Sequence, residues 1–297
     1  MRKKILSNQR TTRIETISFT APAMIMVVIT TYIPFALSIV YSVTNWKGLA
    51  DKATFVGLDN FIKIFASDPD FMQSALFTIR YSVAFVVLSN ILALALAVIL
   101  ARKMKFASFF RAVFFVPYVV SMTIVGFIWE FIFTQGFSSL YKVLGWGFLN
   151  LSWLGSQNLV YYGVVLVGIW QALGFYMVLY IAGLKTIPND VLEAAEIDGA
   201  STIGRFFQVK LPLLIPSITT CLLMSIINSL QVFDTIMAMT KGGPGIASMS
   251  LTLNIYQDAF IYHRYGIASA KAVVFFIMIL LLTKVILNAL GRKEVDY

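Results

Sequence analysis

The chain has 297 residues, 59% of them hydrophobic and 12% charged, with a formal net charge of +9. So much apolar surface exceeds what a soluble domain of this length can bury, so the composition excludes one and points to a polytopic membrane protein. The single cysteine, Cys221, lies in an apolar run and excludes an intramolecular disulfide or a metal site built on cysteines.

Residues 1–17 form a basic, polar tail with Arg2, Lys3, Lys4, Arg10 and Arg13. The first apolar run, 18–42, is too long for a cleaved signal peptide and lacks a small-residue cleavage site. At about 1.5 Å per residue it crosses a hydrocarbon core of about 30 Å, tilted or kinked at Pro34. A mixed loop, 43–72, leads to a second run at 73–101, followed by Arg102, Lys103, Lys105 and Arg111. The third run is 107–133, a loop covers Gly136 to Gln157, and the fourth run is 158–184. After a polar interlude at 185–212 the fifth run is 213–239, and Lys241-Gly242-Gly243-Pro244-Gly245 opens another loop. The sixth run, 267–290, ends in a short tail, 291–297, that carries Arg292 and Lys293.

This pattern predicts an all-α membrane protein with six transmembrane helices: a peripheral first span at 18–42 and a core of five within 73–290. Six spans put both termini on one side. The two tails and the 102–111 and 185–210 loops hold fourteen of the 23 Lys and Arg residues, and the opposite loops hold six. The positive-inside bias therefore places both tails and the 185–212 loop in the cytoplasm. The basic charge clusters at the ends of apolar runs, which reads as membrane orientation rather than nucleic-acid binding. Small residues such as Ala93, Ala95 and Ala97 permit close helix contact in lipid.

Within the polar interlude, Asp190 and Glu193 have capping-box spacing at a helix start. Gly199 is a natural helix stop. Ser201 is placed to cap a second short helix through Phe206 and Phe207, and Pro212 to begin the next long one. The result is a helix–turn–helix knob between spans, shaped to receive force from another protein.

No Walker A sequence is present, and Lys241–Gly245 reads as a tight turn. His263 is the only histidine, with no second histidine or cysteine to complete a metal site. No catalytic residue or nucleophile–base pair emerges from spacing. Arg80, Lys271 and Lys284 lie near span ends and read as snorkelling side chains. Glu130 and Asp234 either line a cavity or pair with neighbours, and they keep a membrane enzyme open as an alternative; a passive channel is another. Ser225, Asn228 and Ser229 recur at helical spacing, so they are expected on one face, with Gln231 extending the polar run. That face serves either interhelical hydrogen bonds or a wet path for a polar, uncharged solute. Tyr118, Trp170 and Gln171 are its natural companions.

Glu193-Ala194-Ala195, three residues, Gly199, nine residues, Val209, one residue and Leu211-Pro212 resembles the EAA loop of bacterial ABC importer permeases, with Val209 in place of Ile. Asp198-Gly199-Ala200-Ser201, Gly242-Gly243-Pro244 and Tyr265 through Ala270 look like carbohydrate-type importers. Val56-Gly57-Leu58-Asp59-Asn60-Phe61 and Phe110-Arg111 through Pro117 fit the same group. The likeness is to the first permease of the maltose and glycerol-phosphate systems. It implies the type I importer permease fold and a bacterial plasma or inner membrane location. It also implies a second homologous permease, two ATP-binding subunits and an extracellular solute-binding protein. ATP and Mg would be used by the partner subunits, with no cofactor or metal on this chain. Glu193, Ala194, Ala195, Asp198 and Gly199 would form the coupling helix that moves the spans between inward-open and outward-open. Comparison with maltose-permease sugar contacts implies a path at Tyr118, Met122, Gly168, Gln171, Ala172, Ser225, Asn228 and Ser229. The expected solute is a sugar or oligosaccharide, with glycerol phosphate or a polyol as the alternative.

Overall fold

The computed structural model describes residues 16–48, 52–102 and 104–290. The 291–297 tail, Lys103 and all but the last two residues of the 1–17 tail lie outside the described residues. Those described are almost wholly helical; their one strand-like pairing is an isolated antiparallel bridge between Thr44 and Phe55. Among the described residues four helices are long and apolar enough to cross a membrane, or up to six where each of two bent pairs counts as one span.

The chain forms two compact units, one of residues up to 67 with 257–274, the other of residues 68–256 with those from 275 onward. In the first unit, α1 (Thr16–Ser42) is exposed along its whole apolar window. Its exit is tied down by the α2 helix (Asp59–Ser67), whose Asn60 Nδ2 donates to the carbonyls of Ser42 and Thr44 at 2.8 and 2.7 Å. The Trp46 ring packs on Tyr41 and on Tyr265, with centroids 4.3 and 5.0 Å apart. The Gly266 amide donates to Trp46 O at 2.9 Å, an approach so close that a methyl on Gly266 would strike Thr44 O. Lys271 does not snorkel: it is 1% exposed and its Nζ is 2.5 Å from Asp258, itself 2% exposed and also paired with Arg264. A buried ammonium needs such a partner to remain charged.

In the second unit, α3 (Pro69–Leu100) begins four residues before the expected run, because Asp68 and Pro69 form a start signal. Asp68 Oδ1 accepts the Phe71 amide at 2.9 Å, and proline at the first helical position loses no ladder bond. The helix ends where Arg111 donates to Leu100 O. α3 packs along α6 (Val160–Thr186); Phe77, Tyr81, Phe85, Ala93 and Ala97 meet Val160, Val164, Val167, Tyr176 and Tyr180 in one buried cluster.

The third apolar run is not one straight helix. It breaks into α4 (Ala107–Val119) and α5 (Met122–Leu144), bent by 96°. Pro117 lacks the N–H to continue the ladder, and Val120 is extended at ψ 138. α5 continues through Gly136, expected to open a loop, because Gly136 takes ordinary helical angles. The fifth run is also divided. α7 (Asn189–Ile197) precedes α8 (Thr202–Leu213), which meets α9 (Ile215–Leu230) at 68°. Pro212 lies within the last turn of α8, and Pro216 instead stands at the start of α9. The chain turns at Gln231 and resumes as α10 (Asp234–Met239), which Asp234 opens. The Gly-Gly-Pro loop is closed by the fully buried Ser248, whose Oγ donates to Gly243 O at 2.6 Å. The short α11 (Leu251–Tyr256) follows, and then α12 (Tyr265–Leu290).

Candidate functional site

Two sites follow from the sequence, a knob at α7 and a polar path where α4, α6 and α9 meet. The knob is a rigid corner. α7 starts at Asn189 after an extended Pro188, two residues earlier than the capping box requires, and no side chain of the N-cap residue closes on its amides. Asp190 instead sits in the first turn, where its charge faces the positive end of the helix dipole. At the other end the Asp198 amide donates to Ala194 O at 2.9 Å and the Ala200 amide to Ala195 O at 3.0 Å. Gly199 makes that reversal at φ +81, a left-handed angle that costs a Cβ-bearing residue about 1 kcal/mol or more. Ser201 Oγ accepts the Gly204 amide at 3.1 Å and starts α8. Arg205 of α8 meets Glu196 of α7 at 2.5 Å and holds the angle of the corner.

This corner presents an unusual surface. Glu193, Ala194, Asp198 and Gly199 are exposed and Ala195 is half-buried. Around them Ile197, Ile203 and Phe207 are 86%, 72% and 60% exposed. Each such side chain left in water forgoes about 1.5–3 kcal/mol of burial. Glu193 has no ion-pair partner among the described residues. An apolar knob with small alanines and a rim of carboxylates is chemically suited to a protein cleft that offers apolar walls and a cation.

The path residues separate into two groups. Tyr118, in the last turn of α4, stacks on Phe175 of α6 with centroids 4.5 Å apart. Met122, the first residue of α5, is 45% exposed. Gln171 is 4% exposed, and its Nε2 donates to Val120 O at 3.3 Å, so it serves the break between α4 and α5. Ala172 beside it is half-buried. Gly168 faces α3, where a methyl would collide with the Tyr81 hydroxyl, so it permits close packing of α3 on α6.

On α9, the three polar residues do not share one environment. Ser225 and Ser229 are buried at 0% and 1%, whereas Asn228 is exposed. Ser225 Oγ accepts from Asn90 Nδ2 at 2.9 Å, and Asn90 Oδ1 accepts from the Tyr180 hydroxyl at 2.7 Å. This network joins α3, α6 and α9. Ser229 Oγ donates within its own helix, to Ile226 O at 3.0 Å. Asn228 Nδ2 donates to the Tyr176 hydroxyl at 3.3 Å. Tyr176 in turn packs edge-on to Phe175, at 5.4 Å between centroids. Asn228, Tyr176, Phe175 and Tyr118 therefore adjoin in one uncharged strip from α9 across α6 to α4, with Tyr176 fully buried behind the exposed Asn228 and the half-buried Phe175 and Tyr118. Phe175, Tyr176 and Asn90 are not among the sequence-derived site residues, because aromatic and lone amide residues in an apolar run give no period of their own. The strip carries hydroxyl-bonding groups and ring faces but no formal charge. Among the described residues no cluster of three or more His, Cys, Asp or Glu side chains is set to hold a metal ion.

Comparison with known proteins agrees with this architecture. The family model for the inner membrane component of binding-protein-dependent transport systems matches residues 89–294. The chain is 36% identical over 278 residues to the probable starch degradation products transport system permease protein AmyD of Thermoanaerobacterium thermosulfurigenes, covering 94% of each chain. It is 37% identical over 262 residues to the multiple sugar-binding transport system permease protein MsmF of Streptococcus mutans, covering 88% of this chain and 90% of that one. Among solved structures it aligns with a chain of a bacterial alginate ABC transporter in complex with an alginate pentasaccharide-bound periplasmic protein. The TM-score is 0.85 at 18% identity, over 98% and 99% of the two chains, and shows the type I importer permease fold. The knob, the broken spans and these matches together make the chain a member of the family of inner membrane components of binding-protein-dependent transport systems.

Proposed function

We propose that this chain is the permease subunit of an ATP-driven importer of neutral sugars or oligosaccharides. In this reading the α7 knob seats in the cleft of a separate ATP-binding subunit, with Ala194 and Ala195 allowing close approach and Glu193 meeting a cation. ATP and Mg belong to two such subunits. A second homologous permease completes the transmembrane unit, and a solute-binding protein delivers solute from outside. Closure of the ATP-binding pair would drive the knob and switch the spans between inward-open and outward-open. The knob and both termini are cytoplasmic in this arrangement, as the distribution of Lys and Arg supports.

The observation that carries the reading is the exposed, acid-rimmed corner at Glu193–Gly199, rigid within the chain and apolar where water would otherwise touch it. The sugar assignment is supported by the uncharged strip from Asn228 to Tyr118 and by relatives named for starch products and multiple sugars. Amides bond sugar hydroxyls and aromatic faces stack on sugar rings, whereas a phosphorylated solute would call for Arg or Lys.

The test is uptake by the reconstituted complex of both permeases, the ATP-binding subunits and the binding protein, across a panel of labelled saccharides, polyols and glycerol phosphate. Accumulation of a neutral saccharide that requires both ATP and the binding protein is expected. Solute flux without ATP would make the chain a channel, and turnover by the purified chain alone would make it an enzyme.

A further inference from the structure

The segment Val56-Gly57-Leu58-Asp59-Asn60-Phe61 and the α2 helix that it opens have no part in the knob or the polar strip. α2 has three distinct faces. Asn60 and Ile64, one turn apart, are buried at 3% and 1%. Asp59 and Lys63 pair at 2.6 Å on a polar face. Leu58, Ile62 and Phe65 follow i, i+4, i+7 spacing within an arc of about 60°. They are 66%, 63% and 58% exposed, and Phe55 just ahead of them is 79% exposed.

What covers that apolar face follows from where α2 is held. Asn60 donates to Ser42 O and Thr44 O, so the start of α2 is hydrogen-bonded to the last turn of α1. α1 is a 27-residue apolar helix, long enough to cross the hydrocarbon, with none of its hydrophobic window buried within this chain, so its end marks the level of the membrane boundary. Thr44 is further bridged to Phe55, which brings the segment before α2 to the same level. Phe55 and the apolar face of α2 thus lie where α1 leaves the hydrocarbon, at the level of the phospholipid surface.

We propose that α2 is an interfacial membrane anchor, lying at the boundary where α1 ends with Phe55, Leu58, Ile62 and Phe65 set into the phospholipid surface. The Asp59–Lys63 pair faces water and leaves the helix with no net charge of its own. Attachment therefore comes from apolar area rather than from attraction to anionic headgroups. The anchor, together with the Asn60 clip, fixes the depth of α1 independently of which solute the permease carries.

The single native cysteine is fully buried, so a nitroxide reports an introduced position. The full chain, assembled with its partner subunits in phosphatidylethanolamine and phosphatidylglycerol vesicles, is labelled at Ile62→Cys, Leu58→Cys or Lys63→Cys. Each site is exposed, and retained ATP hydrolysis reports a folded complex. The ratio of collision with oxygen to collision with a water-soluble nickel chelate is expected to be several-fold higher at positions 62 and 58 than at 63. Equal, high exposure to the chelate at all three sites would overturn the proposal by placing the helix in water. Labels at 62 and 58 shielded from both reagents would overturn it in favour of a protein partner.

Discussion

The side-chain amide of Gln171 on α6 donates to the carbonyl of Val120, 3.3 Å away, at the break between α4 and α5. Pro117 and the extended Val120 interrupt the ladder there, and Gln171 is 4% exposed. An unpaired carbonyl in that setting costs about 1–3 kcal/mol. Gln171→Leu and Gln171→Met, which both lack the donor, are expected to lower the melting temperature of the purified complex by several degrees and to reduce uptake. Unchanged unfolding in both would mean that the break is held by the Tyr118–Phe175 stack without this hydrogen bond.

Asn228 and Ser225 are expected to respond differently, although three residues apart on one helix. Asn228 is exposed and donates to the Tyr176 hydroxyl at 3.3 Å. Asn228→Leu removes a hydroxyl-bonding group from the strip and should weaken solute handling by about 1 kcal/mol, a rise in KM of roughly fivefold. Assembly with the partner subunits should be intact. Ser225→Ala withdraws the acceptor of Asn90 and should cost about 0.6 kcal/mol of stability, typical of interhelical bonds in membranes, with KM unchanged. Transport kinetics and thermal unfolding of both variants decide it; a KM effect at Ser225 and none at Asn228 would move the path to the other side of α9.

At the knob, the prediction separates backbone from contact. Gly199 has φ +81, yet a Cβ added there would meet nothing within 4 Å. Gly199→Ala should therefore cost about 1 kcal/mol from the left-handed angle alone and leave transport partly active. Gly199→Asp places a charge beside the exposed Asp198 at the same cost in angle, and Glu193→Ala removes an acid with no ion-pair partner among the described residues. Both are expected to leave the complex assembled while solute-stimulated ATP hydrolysis and uptake become uncoupled. Wild-type coupling in Gly199→Asp would remove the knob from the drive train.

The spans were legible in the sequence because hydropathy is summed over a window and needs no knowledge of neighbours. The knob was legible for a related reason: Gly199 and Ser201 act on backbone within three residues of themselves. What the window missed depends on distant partners. A proline in an apolar run kinks or breaks a helix according to what its neighbours can bond to, and at the break beyond Pro117 the Val120 carbonyl takes its donor from α6. Period 3.6 puts Ser225, Asn228 and Ser229 within one broad arc, but Asn90 on α3 decides which part of that arc is buried. The aromatic strip through Phe175 and Tyr176 is built by helix crossings that no local pattern encodes.

Lys271 shows the same limit and yields the last prediction. A lone lysine near the end of an apolar run suggests a side chain reaching for headgroups, because its carboxylate lies outside that run. In the structure Lys271 Nζ is 2.5 Å from Asp258, and both residues are buried. Removing one member of a buried pair strands the other charge, at a cost of about 3–5 kcal/mol, whereas removing both often costs little. Lys271→Met should therefore sharply lower the yield and melting temperature of the complex. Asp258 also pairs with Arg264, so part of its charge is still met in that variant, and Asp258→Asn should be the milder single change only if Arg264 then turns to water. Arg264 is 47% exposed at its side chain and can do so, whereas the buried Lys271 cannot. Asp258→Asn is thus expected to destabilise as well, and the double variant Asp258→Asn with Lys271→Met to recover most of the loss. A double-mutant cycle on melting temperature measures the coupling; additive losses would show that the pair is not the unit that holds the start of α12.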